Sequence, residues 1–168
     1  VSGNTEILTP WGNSSLDHGS SVYLVKLDSG GNILWNRTMW GILPNGSRTS
    51  NILPEYSYSV QQTSDGGYVV AGESFGSSNS CVGCPSNWSM GFGLTKTDSS
   101  GNLQWAKVYA DNHSYRANSV QQTSDGGYIM TGYGNDFTTI YSYSYQTDSD
   151  AVLIKTDSAG NLQWKKTV

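Results

Sequence analysis

With 168 residues, 36% of them hydrophobic and only 13% charged, the chain is long enough to bury one substantial core. Its 11 Tyr and 6 Trp exclude a solvated disordered segment. A net charge of −4 with no Lys/Arg cluster excludes the basic surface that nucleic acid requires, and no apolar run approaches the roughly 18–20 residues of a membrane helix.

The sequence opens at Val1 with no charged and apolar leader ahead of it, as expected of a mature processed form or of a piece of a longer chain. Val1-Ser2-Gly3 aligns with Val70-Ala71-Gly72 and with Met130-Thr131-Gly132, so residues 1–20 read as the end of a preceding repeat plus a polar connection. Next comes SVYLVKLD, a Ser-Gly-Gly-Asn turn and ILWNRT, a hairpin rich in β-branched and aromatic residues. Asp28 can bond the amides ahead of it, and Gly30 or Gly31 supplies the positive φ of the turn.

A second hairpin follows: YSVQQT, the turn SDGG, and YVVAGESF, which completes repeat 1 over residues 21–76. Residues 77–90 form a loop holding the only cysteines, Cys81 and Cys84. No helical pattern or four-ligand set surrounds them, so a local disulfide or other structural pair is expected rather than redox or zinc chemistry. Repeat 2 occupies 91–134, with KTDSSGNLQWAKV from Lys96 and SVQQTSDGGYIMTG from Ser119. A Tyr-rich loop is expected over 135–149, and KTDSAGNLQWKKT in 150–168 is the first hairpin of a third repeat.

No apolar stripe at helical spacing runs beyond two turns, so the chain reads as all-β. It is a single β-repeat domain over 1–168, built of four-stranded antiparallel units of which about two and a half are present. Strict alternation puts Leu103, Trp105 and Lys107 on one face, with Ile33, Trp35 and Arg37 and then Leu162, Trp164 and Lys166 as their counterparts. The Gln61-Gln62 and Gln121-Gln122 pairs read either as a carbohydrate-facing row or as strand amides bonding adjacent backbone.

These phrases resemble the propeller-like repeats of secreted and cell-surface proteins of archaea, notably methanogens, and of some bacteria. In that family SVQQTSDGGYIIAG alternates with K-T-D-S-x-G-N-x-x-W-x-K-T. Residues Ser59 to Gly72, Ser119 to Gly132, Lys96 to Val108 and Lys155 to Thr167 match closely, and Lys26 to Thr38 is a diverged copy. The resemblance implies propeller-blade-like units, an extracellular or cell-surface location and an envelope component without a shared catalytic site. A propeller closes with roughly 4 to 8 blades. The sheets here are therefore expected to stay open, to be completed by neighbouring subunits, or to pack as a compact sandwich.

The leading expectation is an extracellular structural protein, with copies of itself as partner, forming a filament, sheath or layer. The alternative is a carbohydrate- or protein-binding module using Trp11, Trp40, Trp88, Tyr141, Tyr143 and Tyr145 as a binding or packing surface. Glycan acceptors are expected at Asn13, Asn36, Asn45, Asn87 and Asn112, each in an Asn-x-Ser/Thr triplet. No nucleophile–base constellation, phosphate loop or metal motif is present, so neither enzyme activity nor a cofactor is expected. The Asp-Ser-x-Gly-Asn turns supply one Asp each, fewer ligands than a calcium loop needs.

Overall fold

Short polar phrases reverse the chain, and their side chains do the reversing. In residues 98–102 the Asp98 carboxylate accepts hydrogen bonds from the Ser100 amide at 2.9 Å and the Asn102 amide at 2.8 Å, while Asn102 Nδ2 donates to its other oxygen at 2.8 Å. Gly101 completes the turn at φ 79°, the left-handed region that a Cβ disfavours. Residues 28–32 and 157–161 repeat this arrangement. At the Ser-Asp-Gly-Gly phrases the Thr63 amide reaches the Gly67 carbonyl, and the Thr123 amide reaches that of Gly127, both at 2.9 Å.

A computed structural model describes residues 5–7, 21–40, 56–76, 89–111, 114–140 and 143–168. They form eleven strands and no helix: β1 (Thr5–Ile7), β2 (Ser21–Leu27), β3 (Ile33–Trp40), β4 (Tyr56–Gln62), β5 (Tyr68–Gly76), β6 (Ser89–Thr97), β7 (Leu103–Tyr109), β8 (Ser114–Gln122), β9 (Tyr128–Ile140), β10 (Tyr143–Thr156) and β11 (Leu162–Thr167). All pairings are antiparallel. The β2–β3 hairpin carries the short β1 at its edge and makes sheet I. Strands β4 to β7 make sheet II and β8 to β11 make sheet III, each in simple up-and-down order. The protein is all-β, and no described sheet closes on itself.

The sheets start one hairpin later than the repeat boundaries 21–76 and 91–134. An ion pair explains this phase. Lys96 on β6 is buried and donates to Asp65 of the β4–β5 turn at 2.8 Å, to the Thr97 carbonyl at 2.7 Å and to Gln104 Oε1 at 3.2 Å. Lys155, Asp125, Thr156 and Gln163 repeat this lock in sheet III, with Lys155 2.9 Å from Asp125. Each Ser-Asp-Gly-Gly phrase is thereby bound to the Lys phrase that follows it.

A bulge corrects the expectation that Leu, Trp and Lys share a face. Lys96 stands opposite Trp105 but Thr97 opposite Leu103, so Gln104 is an extra residue that reverses the alternation. The same shift occurs beside Lys26 and Lys155. Leu103 therefore packs toward sheet I, while Trp105 packs toward sheet III. The expected loop over 135–149 is also corrected. Strands β9 and β10 run through it, pairing Phe137 with Gln146 and Ile140 with Tyr143.

Two apolar layers result. Val22, Leu24 and Met39 of sheet I pack on Tyr68, Val70 and Val60 of sheet II. Val69, Ala71, Phe92 and Leu94 on the opposite face of sheet II pack on Val120, Tyr128, Met130, Val152 and Ile154 of sheet III. Sheet II is thus sandwiched, with even-numbered β5 residues facing one neighbour and odd-numbered ones the other.

Candidate functional site

The feature that recurs in space as well as in sequence is the contact between successive sheets. Trp35 of β3 meets Tyr68 of sheet II edge-on, with centroids 5.6 Å apart and planes at 73°. Trp105 of β7 meets Tyr128 of sheet III in the same way, at 5.8 Å and 62°. Edge-to-face pairs of this kind contribute about 0.5–1.5 kcal/mol beyond their buried area.

The same tryptophans lie on the turn of the following sheet. A Cβ placed on Gly101 would stand 2.8 Å from the Trp35 ring and 2.9 Å from Arg37 Cγ. One placed on Gly160 would stand 2.8 Å from the Trp105 ring and 3.2 Å from Lys107 Cδ. Glycine is required there twice over, by its positive φ and by the ring that covers it. Polar groups fasten the second contact: Lys107 Nζ donates to Asn161 Oδ1 at 2.7 Å and Tyr109 Oη to the Gly160 carbonyl at 2.6 Å. Burial, and then the charge of Asp157, raises the Tyr109 hydroxyl well above the usual tyrosine range, so it stays a donor.

The first strands of neighbouring sheets are joined through the glutamines. The Gln122 amide donates to Gln61 Oε1 at 2.5 Å, the Ser64 amide to Gln122 Oε1 at 2.8 Å, and the Val120 amide to Ser59 Oγ at 3.2 Å. Gln62 Nε2 and Gln122 Nε2 reach their own turns at Gly66 and Gly126. Bonding of adjacent backbone is therefore the role that Gln61, Gln62 and Gln122 take. One further tie is not repeated: Glu73, 1% exposed, accepts from Arg116 Nε of sheet III at 2.6 Å and from Tyr58 Oη at 3.3 Å.

The third copy of the contact is open. Trp164 is 39% exposed, and Lys166 Nζ lies over its ring at 5.8 Å. On the same face Ile129 and Leu153 are only half-buried, although their counterparts Val69 and Leu94 are fully buried. Ser119 and Gln121, the counterparts of Ser59 and Gln61, are exposed. At the other end Gly31, at φ 83°, has nothing among the described residues within 4 Å of an added Cβ. Three hydroxyls on the face of sheet II toward sheet I, those of Ser57, Tyr68 and Thr95, are buried without a hydrogen-bond partner among the described residues. Tyr128 lies within the field of Asp65 from the preceding sheet; burial first, and then that charge, raises its hydroxyl.

Among the residues singled out from the sequence, Asn36 is exposed on β3 opposite Val25, and Trp40 ends β3 opposite Ser21. Tyr143 and Tyr145 stand in β10, opposite Ile140 and Thr138. Trp11, Trp88, Tyr141, Asn13, Asn45, Asn87, Asn112, Cys81 and Cys84 lie outside the described residues. The stacking contact instead uses Tyr68, Tyr128, Gly101 and Gly160, which read from the sequence as strand and turn grammar; the signal available was that each recurs at the same place within its phrase. Among the described residues no three His, Cys, Asp or Glu side chains converge as a metal site, and the turn carboxylates are engaged by their own backbone. No protein-family model matches the chain, and comparison with curated proteins finds no match.

Proposed function

We propose that this is an extracellular structural protein that self-assembles through its β-repeats into a cell-surface filament, sheath or layer. Its four-stranded sheets serve as propeller-blade-like units stacked in series rather than closed in a ring. The observation that carries the reading is the serial contact itself: Trp35 on Gly101 and Tyr68, then Trp105 on Gly160 and Tyr128. A contact that is heterologous and repeated in one direction can be extended without limit, which is the geometry of rings and filaments. Placement outside the cell rests on the five Asn-x-Ser/Thr triplets, the low charge and the cysteine pair. Electron microscopy of material purified from its native source tests this reading. Polymers or sheets with a repeat of molecular dimensions are expected; dispersed particles of one-chain size would overturn it.

A further inference from the structure

Both halves of the sheet-stacking contact recur on the same molecule with no counterpart docked on them among the described residues. The outer face of sheet III offers Trp164 and Lys166 in the positions from which Trp105 and Lys107 grip the next turn. The turn of sheet I offers Gly31 and Asn32 in the positions of Gly160 and Asn161, with no described residue above Gly31 where a tryptophan ring sits on its counterparts. Trp35, Trp105 and Trp164 are identical in type, and Arg37, Lys107 and Lys166 are all cationic.

We propose that the occupant of the sheet III face is a second copy of this chain, which seats its 28–32 turn under Trp164 of the first. Lys166 then reaches Asn32 of the incoming copy, as Lys107 reaches Asn161 within the chain at 2.7 Å. Asp28 of the incoming turn faces the same cation, as Asp157 faces Lys107 and Asp98 faces Arg37. Ile129 and Leu153 lose their remaining exposure beneath it, becoming buried as Val69 and Leu94 are. Association through a joint between copies depends on concentration. The interface is heterologous, since one end of each copy binds the opposite end of the next. This inference rests on the self-assembly reading and specifies its surface.

Two variants each remove one half. Trp164→Ala removes the ring. Gly31→Asn fills the seat, and Asn tolerates positive φ well enough to spare the turn. Sedimentation velocity on the full chain is the readout. Wild type is expected to gain mass with concentration, each variant alone to remain at one-chain mass, and an equimolar mixture of the two to form dimers that go no further. That mixture still contains one intact Trp164 and one intact Gly31, and only a head-to-tail joint restores association. Association of either variant alone at wild-type strength, or a mixture that stays monomeric while wild type associates, overturns the proposed joint but leaves self-assembly standing. Wild type that stays monomeric at every concentration overturns both.

Discussion

At the scale of single residues, the fold depends on carboxylates that work as turn-formers and as counter-ions. Asp65 accepts from Lys96 at 2.8 Å and from Thr63 Oγ1 at 2.5 Å. These partners, Lys96 first, hold its carboxyl at about 2, below its ordinary 3.8. A depressed acid stabilises the folded state above its unfolded pKa and ceases to do so as pH falls through the folded value. Stability is therefore expected to decline between about pH 4 and pH 2. Asp125 adds to this with the same sign, since Thr123, Lys155 and the Gly127 amide lower it too. Thermal unfolding of Asp65→Asn across that range should show a shallower acid dependence than wild type. An unchanged slope would contradict the assignment. Tyr68 makes a second residue-scale case. Its ring is fully buried, but its hydroxyl has no partner among the described residues. Tyr68→Phe keeps the edge-on contact with Trp35 and removes an unmet donor, so denaturant unfolding should show a gain of about 1 kcal/mol. A loss would reveal a partner for that hydroxyl.

At the scale of elements, the seat under each tryptophan couples one sheet to the next. Gly31 and Gly101 share a turn type and a positive φ, but among the described residues only Gly101 is covered. Replacing Gly31 with Ala should cost only the left-handed backbone penalty, about 1–2 kcal/mol. Replacing Gly101 with Ala adds the displacement of Trp35 and Arg37, about 1–3 kcal/mol more. Equal losses in denaturant unfolding would show that the tryptophan does not rest on the turn. The turns themselves were legible in the sequence, because Asp-Ser-x-Gly-Asn and Ser-Asp-Gly-Gly act through local bonds between near neighbours. Strands bounded by those turns were legible for the same reason. Other features depend on long-range partners. Gln104 is bulged and accepts from Lys96, and that bulge sends Leu103 and Trp105 to opposite faces. The phase of the sheets likewise follows from Asp65 meeting Lys96, 31 residues later. No local period encodes either. The pairing that extends β9 and β10 into 135–149 is set by the partner strand, and no turn phrase like Asp-Gly-Gly marks it in the sequence.

At the scale of the whole molecule, three sheets in series make two joints of one kind and leave the parts of a third exposed. The alternation of the two phrases writes this arrangement into the sequence: the Asp-Gly-Gly phrase opens a sheet, and the Lys-to-Trp phrase closes it and presents the ring for the next. A Trp recurs in every copy of the Lys-to-Trp phrase, and the edge-on contacts with Tyr68 and Tyr128 place it on the neighbouring sheet. In the proposed assembly Trp164, the third copy of that residue, marks the direction of growth. Sedimentation of the purified full chain over a dilution series addresses that claim most directly. The account predicts a distribution that shifts to larger assemblies with concentration and returns to the single chain on dilution; one unchanging single-chain species throughout would contradict it.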